Sequence, residues 1–246
     1  MKLSFLGTGA GNFRGSRRHP SGAIVEGLLF DCGAGATGRL HDLHRFDEVD
    51  AVLISHLHTD HVAGLFDFLL HTFLNHRSRP LTIVSPPGLS PILRAFVAAE
   101  ATVRDPAELY DLRLIEHLQP EVTIGSWTVR GVLLDHTVPN LGYLARSENL
   151  SIFYTGDTRE PGTAHDLRAD CLVHEATFAD EDRELARRFG HSTGAEAAAS
   201  AVRMHARRLF LTHLSDSPGL EDRIGQESRQ RFPDSVVAND GESFDL

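Results

Sequence analysis

Cysteine is almost missing from this chain: Cys32 and Cys171 are its two thiols in 246 residues. Two cysteines so far apart form neither a disulfide framework nor a Cys-x-x-Cys metal clasp. Both read as small buried apolar residues, and a reducing cytoplasm is the expected setting. Long apolar runs are missing as well. No stretch approaches the roughly 20 residues of a membrane span, and Met1-Lys2-Leu3-Ser4-Phe5-Leu6-Gly7 reaches glycine too early for a secretory leader. Positive charge is in deficit, with 24 Lys and Arg against 34 Asp and Glu for a net charge of -10. Such a surface does not grip nucleic acid over its whole extent, which takes many phosphate contacts, although a local basic patch remains compatible with it. There is no low-complexity segment, no Pro/Gly/Ser-rich linker and no tail of like charge. One domain spanning residues 1–246 is expected.

A third glycine is also missing where one class of site would need it. Leu3 to Leu6 reads as a strand, and Gly7-Thr8-Gly9-Ala10-Gly11 follows as a loop that permits close approach of a ligand. A dinucleotide fingerprint needs G-x-G-x-x-G opening a helix, but Asn12 occupies the last glycine position, and Phe13 to Pro20 continues as loop. Arg14, Arg17 and Arg18 in that loop are read as exposed basic residues or as a phosphate contact.

What the chain does have is histidine, 15 in all. His56-Leu57-His58-Thr59-Asp60-His61 places three imidazoles and a carboxylate directly after the apolar run Ala51-Val52-Leu53-Ile54. Imidazole nitrogen and carboxylate oxygen suit zinc, manganese and iron, and a buried strand running into the motif holds its backbone in place. This is not the helix-borne H-E-x-x-H arrangement, because the second His lies two residues from the first and the acid precedes the third.

The same pattern recurs downstream. Strands are expected at Gly22 to Glu26 and Leu28 to Cys32, where Asp31 is placed to support a ligating histidine. A helix should carry His41 and His44, and Val62 to Leu74 has helical spacing, with His71 and His76 read as lying on that helical stretch; these four are read as surface or packing residues. After a strand at Leu81 to Ser85, a helix begins at Pro86-Pro87 and runs to about Ala101. Leu112 to Ile115, Val122 to Ile124 and Trp127 to Leu134 read as strands, the last running into Asp135-His136. A strand from Tyr143 to Arg146 follows, then Ile152-Phe153-Tyr154 leads to Asp157, and Cys171-Leu172-Val173 leads to His174-Glu175. His191-Ser192-Thr193 precedes a helix from Gly194 to about Arg207, with Thr193 and Glu196 spaced for a capping box. Leu209 to Thr212 delivers His213, followed by a helix at Leu220 to Arg231 and a strand at Ser235 to Ala238. Strands alternating with helices, then a β-rich stretch, indicate a layered α/β sandwich. With His56, His136, Asp157 and His213 all at strand ends, two metal ions bridged by a carboxylate, about 3.5–4 Å apart, are expected, and their chemistry is hydrolysis.

These residues carry a resemblance. The chain is similar to metallo-β-lactamase-fold hydrolases and, within them, resembles the ribonuclease Z branch, which removes the 3′ trailer from precursor tRNA. The match runs in order through Phe5-Leu6-Gly7-Thr8-Gly9, Phe30-Asp31-Cys32-Gly33, the His56 to His61 motif, His136 with Gly142-Tyr143, Thr155-Gly156-Asp157-Thr158, His174-Glu175-Ala176-Thr177, His191-Ser192-Thr193 and Thr212-His213. It implies a four-layered αβ/βα sandwich, two mixed β-sheets flanked by helices. It further implies that His56, His58 and His136 hold one metal, that Asp60, His61 and His213 hold the other, and that Asp157 bridges them. Zinc is the implied metal, and manganese or iron fits the same donors. Asp60 would orient or deprotonate the attacking water, and Glu175 with His191 would supply the proton to the leaving 3′ oxygen. A histidine beside a carboxylate is kept protonated near neutral pH, which supports that last role independently.

One feature departs from the family pattern. The tRNA-gripping arm of the family usually lies between the residues matching His136 and Asp157, and here 21 positions separate them. Without the arm, a small-molecule cyclic phosphodiesterase acting on a phosphoribosyl cyclic phosphate or a cyclic nucleotide is the alternative. Arg187, Arg188, Arg203, Arg207 and Arg208 are expected either to compensate as a basic face near His191 or to be a solvated helix surface. A homodimer could instead supply the grip. A reading from another class, a metal-bound but catalytically silent ligand-binding protein, fits the complete donor set poorly.

Overall fold

Short apolar runs rich in leucine, isoleucine and valine become the strands of two sheets, and the helices between them cover the outer faces. The structure is a computed structural model that describes residues 1–11, 19–100, 111–159 and 167–246. The first sheet contains β1 (Lys2–Gly7), β2 (Gly22–Val25), β3 (Leu28–Phe30), β4 (Ala51–Leu53), β5 (Leu81–Ser85) and β6 (Leu112–Glu116), and β14 (Ser243–Asp245) closes its far edge. The second contains β7 (Glu121–Ile124), β8 (Trp127–Leu134), β9 (Asn140–Arg146), β10 (Ser151–Tyr154), β11 (Cys171–Glu175), β12 (Arg208–Thr212) and β13 (Ser235–Val237). Each sheet has seven strands, in the orders β14-β1-β2-β3-β4-β5-β6 and β13-β12-β11-β10-β9-β8-β7. Both are mixed: β3 to β6 run parallel, as do β10 to β13, while the remaining neighbours pair antiparallel.

Three apolar clusters make this a four-layered αβ/βα sandwich. Phe5, Phe30, Leu53, Trp127, Tyr143 and Phe210 fill the space between the sheets. Each contributes roughly 1.5–3 kcal/mol by leaving water. Outside the first sheet, α1 (Ala36–Asp42), α2 (Thr59–Leu74) and α3 (Leu89–Glu100) bury Leu40, Leu65, Phe68 and Leu93 against Val52 and Ile83. Outside the second, α5 (Gly194–Arg203) and α6 (Leu220–Arg231) bury Ala197, Ala201 and Ile224 against Leu172 and Leu211. The short α4 (Arg183–Phe189) precedes them.

Strand direction decides where function can sit. Because β8, β10, β11 and β12 all run the same way, their C-terminal ends lie along one edge of the second sheet. Polar bonds between the sheets hold that edge against the end of β4. The Tyr143 hydroxyl donates to the Ile54 carbonyl at 2.7 Å, and the Leu141 N–H to the Ser55 carbonyl at 2.8 Å.

Several element boundaries differ from those the sequence suggests. Helix α2 begins at Thr59 rather than Val62, so Asp60 and His61 occupy its first turn. Helix α5 stops at Arg203 instead of continuing to Arg207, as Met204 caps it and His205 turns left-handed at φ 52°. His44 and His76 are likewise left-handed residues just beyond α1 and α2, not members of them. The Thr193–Glu196 capping box is present in both directions. Ala101 and the Arg14, Arg17 and Arg18 loop lie outside the described residues. No helix among the described residues is long and apolar enough to cross a membrane.

Candidate metal centre and active site

Asp157 is the centre of the site. It follows β10 through Gly156, whose φ of 58° suits glycine and where a Cβ would stand 2.5 Å from both Ser55 Cβ and Asn140 Oδ1. Buried at that edge, Asp157 turns Oδ2 towards four ring nitrogens from three stretches of the chain. His213 Nε2 lies 3.3 Å away, His61 Nε2 3.4 Å, His56 Nε2 3.7 Å and His136 Nε2 4.0 Å. Donors held 2.0–2.1 Å from one tetrahedral zinc ion stand about 3.3–3.4 Å apart, the spacing that His213 and His61 keep from Asp157 Oδ2. Two buried atoms, His61 Nε2 and Asp157 Oδ1, make no aligned hydrogen bond within the protein, and a cation would satisfy both.

Two groups of donors emerge, and a third, Asp157 with His191 and His213, overlaps both. His56, His58, His136 and Asp157 bring one donor atom each to within 4.8 Å of one another, and Asp60, His61 and His213 do the same. His58 is the N-cap of α2 and offers Nδ1, which lies 2.9 Å from His56 Nε2 and 3.3 Å from His136 Nε2. Asp60, one residue into that helix, sits 3.3 Å from His213 Nε2 and 3.7 Å from His61 Nε2.

The ring nitrogens turned away from the centre are anchored in turn. His61 Nδ1 is 2.7 Å from Asp31 Oδ2, His56 Nδ1 3.0 Å from Ser55 Oγ, and His213 Nδ1 2.9 Å from Thr177 Oγ1. His136 Nδ1 donates to the Gly190 carbonyl at 2.8 Å. Such outer contacts fix ring orientation and aim the opposite nitrogen inward, as in metal-binding histidines. Asp31 and His213 hold left-handed φ values of 54° and 57°, strain of the kind stored at functional sites.

Protonation follows from burial and neighbours. Burial, reinforced by adjacent imidazoles, lowers His56, and burial likewise lowers His58 and His136, which keeps their lone pairs free. Burial also opposes charge on His61, but Asp157 and Asp31 outweigh it and raise its pKa. Asp157 stays ionised: burial resists its charge, and His213 and His61 overcome that resistance.

Beside this cluster stands a second kind of pair. Glu175, buried at the end of β11, accepts from the Thr158, Thr177 and Ser192 N–H groups at 3.0–3.1 Å and from Thr177 Oγ1 at 2.7 Å. His191 Nδ1 lies 3.1 Å from Glu175 Oε1 and 3.9 Å from Asp157 Oδ2. Burial disfavours charge on His191, yet Glu175 raises its pKa to about 9. At neutral pH this imidazole holds a proton, and with Nδ1 engaged its Nε2 is the nitrogen left for a substrate.

Comparison with known proteins agrees with this geometry. Residues 27–214 match the model of the beta-lactamase superfamily domain. The ribonuclease Z of Halorubrum lacusprofundi is 30% identical, with 100% of this chain and 97% of that protein aligned, and that of Methanopyrus kandleri is 34% identical, with 98% and 96% aligned. The crystal structure of human tRNase Z, short form, superposes with a TM-score of 0.82 at 26% identity, over 100% of this chain and 99% of that one. The chain belongs to the ribonuclease Z family.

Like its family, this ribonuclease Z relative is a metal-dependent hydrolase. Six of the residues singled out from the sequence, His58, Asp60, His136, Asp157, His191 and His213, line one cavity of about 570 Å³, and His56, His61 and Glu175 are buried among their contacts. The basic face does not form as a unit. Arg207 and Arg208 sit at the N-terminal end of β12 and line a separate cavity with Asp170 and Leu246, whereas His213 follows the opposite end of that strand. Arg203 ends α5, and Arg187 pairs with Glu184 and Glu196. The sequence reading overlooked α4 entirely, and with it Leu185 and Phe189 at the cavity wall. Their i,i+4 spacing was the available signal.

Proposed function

We propose that this chain is a dinuclear zinc phosphodiesterase that cleaves the 3′ trailer from precursor tRNA. The observation that carries the reading is the convergence of His213, His61, His56 and His136 nitrogens on Asp157 Oδ2 at 3.3–4.0 Å, with the protonated His191–Glu175 pair beside it. His56, His58 and His136 would hold one ion, Asp60, His61 and His213 the other, and Asp157 both. An imidazole-rich donor set with carboxylates suits zinc, and manganese or iron would serve the same donors. Two such ions, when bound, polarise the phosphoryl oxygens and lower the pKa of water towards neutrality.

The chain's own groups supply the rest. Asp60 stays ionised because, although burial resists its charge, the His213 contact and the nearby His61 hold its proton off; it is the base that orients and accepts from the attacking water. His191 gives its proton to the departing 3′ oxygen, and Glu175, ionised and held by backbone N–H groups, stabilises the imidazolium beforehand. Asp60 and His191 both line the cavity that contains Asp157, His191 with its Nδ1 3.9 Å from Asp157 Oδ2.

A second reading, hydrolysis of a small cyclic phosphodiester, is favoured by one observation. The span between His136 and Asp157 holds β9 and β10 joined by a turn in which the Ser147 N–H meets the Leu150 carbonyl at 2.9 Å, so no arm projects there. The relative from Halorubrum lacusprofundi aligns over 306 positions against 246 residues here, so some 60 of its positions have no counterpart in this chain. Purified, metal-analysed protein assayed on a precursor tRNA with a 3′ trailer and on a panel of cyclic phosphates separates the two. Cleavage at the trailer boundary at low enzyme concentration is the expected result. Opening of a cyclic phosphate with the precursor untouched would replace tRNA as the substrate.

A further inference from the structure

Eight large apolar side chains are markedly exposed among the described residues, and two of them, Leu185 and Phe189, lie one helical turn apart on α4. Phe189 is 52% exposed and Leu185 41%, although both border the cavity that contains the imidazole cluster. Phe178, partly buried, joins them there with its ring 6.0 Å from that of His191. Apolar surface left in water at the mouth of a charged site is poorly explained by folding, because folding alone would have turned it inward.

The wall is tied to the chemistry through backbone. Gly190 follows Phe189 and precedes His191; its φ is 85°, and its carbonyl receives the His136 Nδ1 proton at 2.8 Å. A Cβ at that position would stand 2.6 Å from His136 Nδ1, so α4 ends as close to the donor cluster as sterics allow. Phe189 is thus two residues from His191 in the chain, and both side chains line the same cavity. Arg188 adds a cation beside the platform, 5.9 Å from the Phe189 ring centroid.

We infer that Phe189, backed by Leu185 and Phe178, is a stacking platform for the nucleobase of the nucleotide whose 3′ oxygen leaves. This rests on the phosphodiesterase reading above and narrows its substrate to one with a base at that position. A π-face accepts any base, so the platform contributes grip without sequence choice, which suits a chain with no projecting arm between His136 and Asp157.

The test uses the metal-loaded protein and two precursor RNAs, identical except that one is abasic at the nucleotide 5′ of the scissile phosphate. With wild type, removing the base is expected to raise KM about tenfold with little change in kcat. Phe189→Ala should raise KM by a similar factor on the intact RNA, and the variant and the abasic RNA combined should cost no more than either alone. Phe189→Trp should restore the wild-type KM, whereas Phe189→Leu, apolar but without a ring, should not. Penalties that multiply to about a hundredfold would overturn the platform, since ring and base would then act independently. Loss of metal from Phe189→Ala would also overturn it, making α4 a prop for His136. Wild type that cleaves neither RNA would instead overturn the phosphodiesterase reading on precursor RNA, and the platform with it.

Discussion

The two sides of Asp157 solve the same problem with different chemistry. On one side stand three imidazoles, His56, His58 and His136, all lowered in pKa mainly by burial and hence neutral. On the other stand a carboxylate, Asp60, and His61, whose charged form Asp157 and Asp31 favour against the cost of burial. The imidazole side presents lone pairs that no proton contests. The carboxylate side offers more negative charge, but an entering cation must displace a proton from His61. Asp157 Oδ2 faces His56 and His136 of the first and His61 and His213 of the second, so the asymmetry of the site reduces to what surrounds a single carboxylate.

Removing that shared group should have the largest effect. Asp157→Asn is expected to lower both metal content and phosphodiesterase activity, the latter by about 10³-fold or more, because several kcal/mol of charge stabilisation depend on it. Elemental analysis alongside kinetics checks this; retention of two ions per chain would show that the sides do not share Asp157. His58→Ala and Asp60→Ala then divide the sides. Each should reduce the content from two ions to one, and each should abolish measurable turnover. If either variant lost both ions, the two sides would fill as a unit and not as separate sites.

His191 stands beside both groups, held charged by a neighbouring carboxylate as His61 is, while remaining free to give its proton away. With a pKa raised to about 9, its protonated form predominates at neutral pH, and activity that needs it should be lost as pH rises through that value. The stability its pairing with Glu175 contributes follows the same direction: fully present below the unfolded value near 6.5, and lost as pH rises through about 9. His191→Ala should retain metal, slow cleavage about 10²-fold, most for poor leaving groups, and lose the alkaline limb of the kcat/KM profile. A variant with wild-type rates would remove His191 from the reaction.

The strand-end positions of His56, His136, Asp157 and His213 were legible because each follows an apolar strand: a run such as Leu209 to Thr212 fixes its own burial, and the polar residue after it has to lie at the sheet edge. Asp31 was legible on the same grounds. What failed was inference from nearness in sequence. Arg208 and His213 are five residues apart, but a strand lies between them, and at about 3.3 Å per residue that sends them to opposite edges of the sheet. Helix α4 stayed hidden because seven residues, four of them charged, barely complete two turns. Its Leu185 and Phe189 resemble solvated helix until the cavity beside them is seen.

Tyr154 makes a contact that its strand pattern does not reveal. Within Ile152-Phe153-Tyr154 it has the look of an ordinary core residue, and its ring does stack on Phe30 with centroids 5.2 Å apart. Its hydroxyl, however, crosses between the sheets and donates to Asp31 Oδ2 at 2.8 Å, the same oxygen that faces His61 Nδ1. The carboxylate side is thus supported from the second sheet as well as the first, whereas the contacts behind His56 come from its neighbour Ser55. Tyr154→Phe removes one hydrogen bond to a buried carboxylate and keeps the ring, so thermal or urea unfolding should show a loss of about 1.5–3 kcal/mol. Asp31 retains the Ser55 N–H at 2.7 Å and Ser55 Oγ at 2.8 Å, so His61 should stay in place, and the ion on the carboxylate side should weaken by no more than about tenfold. Competition with a chelator measures that directly. A weakening shared equally by both ions would mean that Tyr154 supports the seam between the sheets, and with it both sides of Asp157.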